Sequence, residues 1–282
     1  MTHLLNPCLW YDNNANQAAE FYGSVFGKLK IISENPIVVV FELHGEKFMA
    51  LNGGPMFKFN PSCSIFAVCE TIEEIDNAWQ KLSEGGSPLM PLDKYPWSER
   101  FGWIQDKFGL SWQLMITKKG DVAQKFSPLL MFFGEQNGNA EKAINFYTTV
   151  FKNSSIKSIA RYEEGEGDVT GRGKHAQFTA NNYTMMAMES SGPHKFAFNE
   201  AFSIVVACDT QEEIDYYWNT FTADGGQESM CGWLKDKFGV SWQITPAILG
   251  KFMNDPVKAP KVMQAFMKMK KFNIAELEAA AQ

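Results

Sequence analysis

The chain has 282 residues, of which 45% are hydrophobic and 23 are Phe, enough apolar material for substantial cores and too much for an intrinsically disordered chain. Its 26 Lys and Arg against 32 Asp and Glu give a net charge of −6, which argues against nucleic acid as a partner, since that binding rests on clustered Lys and Arg. A chain of this length suggests about two domains.

In chain order, a short apolar strand at residues 8–11 leads to Asn14 and Gln17, spaced as cap and reciprocal cap of a helix. Ala18, Phe21, Tyr22 and Val25 recur at i, i+3, i+4 and i+7, giving that helix one buried face, and Gly27 is placed to end it. Strands are expected at 37–43 and 48–51 with a turn at 44–47 between them, then another at 63–69. Thr71 and Glu74 form a capping box for a second helix, whose inner face is Ile75, Ala78, Trp79 and Leu82. Residues 87–101 read as an extra loop carrying Lys94, Tyr95, Trp97, Ser98, Glu99 and Arg100, placed to act as a lid over a cleft. Strands around 102–105 and 110–116, joined by a turn at 106–109, close the half.

The second half repeats the first. Residues 102–114 read GWIQDKFGLSWQL and residues 232–244 read GWLKDKFGVSWQI. Phe21, Tyr22, Val25 and Phe26 correspond to Phe146, Tyr147, Val150 and Phe151, and Thr71, Glu74, Ile75 and Asp76 to Thr210, Glu213, Ile214 and Asp215. Two copies of one domain are therefore expected, at 1–117 and 128–246, with a polar linker at 118–127. Each copy reads as two βαβββ units, which makes an α+β architecture of curved sheets around a cleft. The tail at 247–282 has no first-half counterpart. Val262, Met263, Phe266 and Met269 make it amphipathic, Asn273 and Glu276 cap a second short helix, and the whole reads as a helical strap.

The five cysteines are odd in number and form no C-x-x-C pair, which points to reduced thiols and a cytoplasmic location. No leader pattern opens the sequence and no apolar run approaches the ~18 residues of a membrane span, so neither export nor a membrane partner is expected. Cys69 and Cys208 recur on apolar strands as small core residues, and no G-x-S-x-G elbow offers a nucleophile.

Taken together, the helix ending FYGSVF, the strand and turn FELHG, the T-x-x-E-I-D helix start, the segment MPLDKYPWSERFGW and the closing DKFG-x-SWQ strand resemble the PhnB-like branch of the vicinal oxygen chelate superfamily. That superfamily also holds glyoxalase I, bleomycin-resistance proteins and extradiol dioxygenases, and the branch carries the label demethylubiquinone methyltransferase-like. The resemblance implies tandem domains of the glyoxalase and bleomycin-resistance type. It also implies, for the metal-dependent members, a divalent ion held by His or Glu from the first and last strands of the units. Here Gln113 and Gln243 stand where the catalytic Glu usually stands, and the opening segments at 6–10, 62–64, 127–131 and 201–203 contain no His, Asp or Glu. A neutral amide alone is a poor transition-metal ligand, so no metal and no other cofactor is expected.

Of the four histidines, His3, His44 and His194 are expected in solvent, whereas His175 shares one strand face with Gln177 and is a weak candidate for proton transfer. The second copy's glycines at 165, 167, 171 and 173 precede a strand-like segment, which argues against a Rossmann-type cradle for S-adenosylmethionine. Strand alternation sets Ser111 beside Gln113 and Ser241 beside Gln243 on one face, with Trp112 and Trp242 on the other, under the helices. The expected site is a metal-free, ligand-binding cleft lined by Ser111, Gln113, Ser241 and Gln243, with Tyr95 and Trp97 at its lid. A small organic molecule is the expected partner, a homodimer is left open, and a metal-dependent lyase or dioxygenase is the alternative.

Overall fold

A computed structural model of the chain describes residues 4–118, 120 and 124–282. Four βαβββ units follow one another: β1 (Leu5–Tyr11), α1 (Ala15–Phe26), β2 (Leu29–Glu34), β3 (Val38–Leu43) and β4 (Glu46–Asn52); then β5 (Cys63–Cys69), α2 (Ile72–Ser83), β6 (Ser87–Tyr95), β7 (Ser98–Gln105) and β8 (Ser111–Ile116). The third unit is β9 (Phe126–Phe133), α3 (Ala140–Val150), β10 (Ser155–Arg161), β11 (Gly173–Ala180) and β12 (Tyr183–Ser190); the fourth is β13 (Phe202–Cys208), α4 (Gln211–Thr222), β14 (Gln227–Glu228), β15 (Trp233–Lys235) and β16 (Ser241–Pro246). The tail forms α5 (Leu249–Met253), α6 (Ala259–Phe266) and α7 (Ile274–Ala280).

The strands make two eight-stranded sheets, in the orders β14-β15-β16-β13-β1-β4-β3-β2 and β10-β11-β12-β9-β5-β8-β7-β6. The second sheet joins a unit from each sequence copy, because β5 pairs antiparallel with β9 from Cys63↔Leu130 to Ala67↔Phe126. By contact density the chain divides into a larger unit, Leu9–Ala197, which contains the whole second sheet, and a smaller one formed by residues up to Cys8 with Phe198–Gln282.

In the larger unit, helix α1 buries Ala15, Ala18, Ala19, Tyr22 and Val25, while Gly27 at φ 77° ends it in a conformation that favours glycine. Its expected cap is not made. Asn14 forms no capping bond, and the first helical N–H, that of Ala15, instead donates to Asn52 Oδ1 at 2.9 Å. Asn14 sits at φ −127°, ψ 25°, away from the extended backbone that aims a cap side chain at the helix, whereas Thr71 at φ −135°, ψ 154° caps α2 through the Glu74 N–H at 3.1 Å.

Residues 87–101 are not a free loop. They form the β6–β7 hairpin at the edge of the second sheet, with register shifts on either side of Met90 and of Asp93. The expected linker is likewise partly structural: Lys119 and residues 121–123 lie outside the described residues, but Lys125 is buried against Glu74 and Val68 O, and Phe126 and Ser127 already belong to β9.

In the smaller unit, Trp242 stacks on Phe221 of α4 with centroids 4.5 Å apart. The tail runs against the same unit: the N–H groups of Cys231 and Gly232 donate to Met269 O and Lys270 O at 2.7 Å, Gln211 binds Phe272 O and the Ile274 N–H, and Phe272 and Leu277 are buried. The Glu276 N–H is capped by Asn273 Oδ1 at 3.2 Å.

Candidate functional site

The DKFG turn is built identically in both copies. Asp106 Oδ1 accepts from the N–H groups of Phe108 and Leu110 at 2.8 and 3.0 Å, and its Oδ2 accepts from Trp112 Nε1 at 2.9 Å. Asp236 does the same with Phe238, Val240 and Trp242, at 2.9, 3.1 and 2.9 Å. Each aspartate thus fixes a tryptophan on the helix side of its sheet; Trp112 packs on Tyr22 and Phe26 of α1 at 5.0 and 4.8 Å. Side chains alternate along a strand, so Ser111 and Gln113 are turned to the opposite face.

That face of the second sheet is a hollow laid out in rows by strand register. One row runs Ser111, Ser64, Leu129, Met186 and Gln177. The next runs Met90, Trp103, Gln113, Phe66 and Ser127. Phe66, Phe101, Leu129 and Met186 form its buried floor, and Val68, Met90, Tyr95, Trp103, Met115 and Met188 pack around them only partly buried. Unbranched, polarisable Met side chains give such a wall an adaptable shape.

Of the polar groups that meet this apolar surface, Ser111, Gln113 and His175 are employed differently. Ser111 is fully buried and its Oγ accepts from Ser64 Oγ at 2.9 Å and from Trp103 Nε1 at 2.6 Å, so the hydroxyl ties three strands together and is covered by the indole. Gln113 is 4% exposed; its Nε2 reaches Met188 Sδ at 3.9 Å, a weak contact, and no donor among the described residues reaches its Oε1. His175 lies with its ring 5.8 Å from that of Phe66, and its Nε2 is buried with no hydrogen-bond partner. Burial pushes the His175 imidazole below its ordinary pKa, so it is neutral at neutral pH.

Tyr95 stacks on Trp97 at 5.0 Å and meets Phe101 edge-on at 5.6 Å, placing Tyr95 at the rim of the hollow. Trp97 is half exposed beyond it. The counterparts in the smaller unit are arranged otherwise. Gln243 Nε2 donates to Ser203 Oγ at 2.9 Å, while Ser241 Oγ is buried without a partner. Sequence reasoning missed Met186 and Met188; their alternation in TMMAMES was visible but reads equally as core.

The two described histidines expected in solvent, His44 and His194, are half-buried and hydrogen-bonded. His44 Nε2 donates to Phe26 O at 2.7 Å, closing the C-terminal end of α1, and burial lowers its pKa. His194 shares a 2.7 Å hydrogen bond with Ser190 Oγ and packs between Phe133 and Phe196. His3 lies outside the described residues. The thiols of Cys63, Cys69 and Cys208 are pushed up to about 12 by burial, which suits packing and not nucleophilic chemistry.

The donor chemistry can be set against the groups that this architecture evokes. On the second sheet, the first and last strands of the two units present Ser64, Phe66, Ser111, Gln113, Ser127, Leu129, Met186 and Met188 to the hollow, and these do not fit a divalent cation that requires carboxylate or imidazole. Among the described residues, no three His, Cys, Asp or Glu side chains converge. Gly165, Gly167 and Gly171 adopt φ near +85° in the loop before β11, and a strand follows them where a Rossmann-type cradle needs a helix.

Paired βαβββ units forming curved eight-stranded sheets define a glyoxalase-type fold with its units in tandem. Glyoxalase I from Zea mays shares this fold: a point mutant of that enzyme superposes with a TM-score of 0.58 at 11% identity, over 88% of this chain and 94% of that one. The wild-type maize structure gives 0.56 at 11% identity, over 84% and 92%. The chain belongs to the 3-demethylubiquinone-9 3-methyltransferase family, whose family model matches residues 3–115 and 124–245, one match in each sequence copy. A PhnB protein from Bacillus cereus described by that same activity is 37% identical over 39% of this chain and 96% of its own, with a TM-score of 0.37. No curated protein matches the chain.

Proposed function

We propose that the hollow of the second sheet binds a small, uncharged, mainly aromatic molecule without a metal ion. The observation that carries this reading is His175 Nε2, buried without a hydrogen-bond partner and set, with the little-exposed Gln113, into a wall of Phe, Met and Trp. Leaving a buried polar atom unpaired costs about 1–3 kcal/mol, and a ligand bearing a hydroxyl or amide would recover that cost while burying its own ring. Gln113 and His175 are the polar handles, Trp103 and Phe66 the flat surfaces, and Tyr95 a rim residue. Ser111 acts beneath the surface as a tie. In the smaller unit Gln243 is already bound to Ser203, so the working site is assigned to the second sheet. A metal-dependent lyase or dioxygenase reaction and a methyl transfer are both disfavoured by the side chains present. A cytoplasmic location is part of the proposal, since five cysteines with no disulfide between them suit a reducing compartment.

The test is a thermal-shift screen of phenols, hydroxylated quinones and aromatic amides, followed by calorimetry on any compound that raises the melting temperature. Gln113→Leu and His175→Phe are expected to abolish the shift while leaving the protein as stable as before or more so. A screen in which no such compound binds, or one stoichiometric equivalent of a divalent metal in the purified protein, would overturn the reading.

A further inference from the structure

Strands β3 and β11 match each other in the two sequence copies: Phe41, opposite Phe48 in β4, takes the place of Phe178, opposite Met185 in β12. Three residues earlier the first copy has Val38 and the second has His175. An imidazole thus stands on a sheet where the other copy carries an aliphatic side chain, a break of local pattern of the kind that accompanies function.

His175 is turned to the hollow and carries no hydrogen bond among the described residues. Along β11, Phe178 packs on Tyr147 of α3 with ring centroids 6.2 Å apart, so by alternation His175, Gln177 and Thr179 face away from the helix. The His175 ring lies 5.8 Å from that of Phe66 on the hollow's floor, and neither of its nitrogens has a partner among the described residues. A histidine that serves as general base is ordinarily fixed in one tautomer by a partner on its second nitrogen; without one, the neutral ring is free to offer its acceptor nitrogen to a ligand.

The surroundings offer no counter-charge to a protonated imidazole. Ala160 of β10 stands opposite His175, and Ala176 pairs with Ala187 of β12, which puts Met188 at the next position. Phe66 comes from β5 and the neutral Gln113 beside it from β8. The ionisable residues of adjoining positions are committed elsewhere: Lys174 to Glu166, Arg161 to Glu141, Glu189 to the N–H groups of Ala140 and Gly173, and the hydroxyls of Tyr162 and Tyr95 to Glu189 O and Pro91 O. Burial accounts for the lowered pKa of His175, with no neighbouring charge contributing.

Resting on the assignment of a ligand to this hollow, we infer that His175 is the acceptor for a hydroxyl group of the bound molecule and that acid releases the ligand, because the proton that fills the acceptor also sets an uncompensated charge against the ligand's apolar body. Linkage fixes the sign: binding requires the neutral imidazole, so affinity is level above the ordinary value of 6.5 and falls by up to about tenfold per pH unit below the His175 midpoint.

The probe is 2-naphthol, an uncharged phenol whose hydroxyl stays protonated over the range, titrated into the full chain by calorimetry from about pH 8 down to the acid limit of folding set by circular dichroism. The His175 midpoint is measured in parallel from its imidazole NMR signals. Wild-type affinity is expected to fall below that midpoint, and saturating 2-naphthol to move the midpoint to lower pH. His175→Gln keeps an acceptor that takes up no proton; it is expected to bind within about tenfold of wild type at about pH 8 and to hold that affinity in acid. This variant retains His44 and Glu46, so their titration cancels in the comparison, and His175→Asn replaces it should it unfold. Equal wild-type affinity on both sides of the midpoint, a fall as steep in the variant, or an imidazole that stays neutral down to acid unfolding would overturn the inference and leave the hollow a binding site. Failure of 2-naphthol to bind at about pH 8 would overturn it too, whereas the hollow itself falls only if every phenol, quinone and amide of the screen fails.

Discussion

At the level of single residues, Asp106 and Asp236 show what a repeated motif is for. Each is almost fully buried and commits its oxygens to two backbone N–H groups and one indole N–H of its own turn and closing strand. Asp106→Ala would strand three buried donors at about 1–3 kcal/mol each, so a loss of at least about 3 kcal/mol is expected in urea unfolding. Asp106→Asn keeps an acceptor for the backbone but turns an amide N–H₂ toward Trp112 Nε1, and should cost less. If both variants unfold at the wild-type midpoint, the turn does not derive its stability from the carboxylate. The recurrence of DKFG-x-SWQ was plain in the sequence; that the aspartate holds the tryptophan could not be read there, because their pairing depends on how the turn folds back. The same limit applies to Ser111. Strand alternation placed it beside Gln113 correctly, but nothing local announced that Trp103 and Ser64 would occupy its oxygen.

At the level of elements, identical signals had different outcomes for a backbone reason. T-x-x-E at residues 71–74 and 210–213 makes the expected caps, at 3.1 and 3.2 Å, with both threonines in extended conformation. Asn14 and Gln17 have the same spacing, yet a ψ of 25° turns Asn14 from the helix and another residue, Asn52, supplies the acceptor. Thr71→Ala should therefore destabilise the protein by about 1 kcal/mol and Asn14→Ala by no more than a few tenths, both measured by chemical denaturation. Equal losses would mean that cap geometry is not what distinguishes them. The β6–β7 hairpin was illegible for a different reason. Pro88 and Pro91 argue against a strand, but β6 is the outermost strand of its sheet, where a missing N–H is tolerated and irregular register is common.

At the level of the whole molecule, duplication was legible and pairing was not. The local pattern of strands and helices yields four βαβββ units, but which units share a sheet is decided by contacts far apart in sequence, such as β5 against β9. Glu46, at the start of β4, is part of the same stitching: its carboxylate accepts from the N–H groups of Lys125 and Phe126 at 2.5 and 3.0 Å, where the chain passes from one copy to the next. Burial pushes its pKa up to about 7, against the downward pull of those two bonds and of Lys125. A raised carboxyl pKa means that the folded state holds the proton more tightly, so this contribution is complete below the unfolded value of 4.5 and is lost as pH rises through about 7. His44 and His175 oppose it in the same range. Their pKa values are lowered on folding, so their share of stability grows as pH rises through 6.5. Wild-type stability alone thus mixes opposite slopes, and the informative quantity is the difference between wild type and Glu46→Gln, in which the histidine contributions cancel. That difference should move against the wild type by on the order of 2 kcal/mol between about pH 5 and about pH 8, taking roughly 1.4 kcal/mol per pKa unit and allowing for partial solvation. Glu74, whose pKa is lowered from 4.5, titrates below this window and does not enter. Urea unfolding of both proteins across the window measures the difference directly, and a flat one would show that Glu46 crosses into the folded state with its proton affinity unchanged.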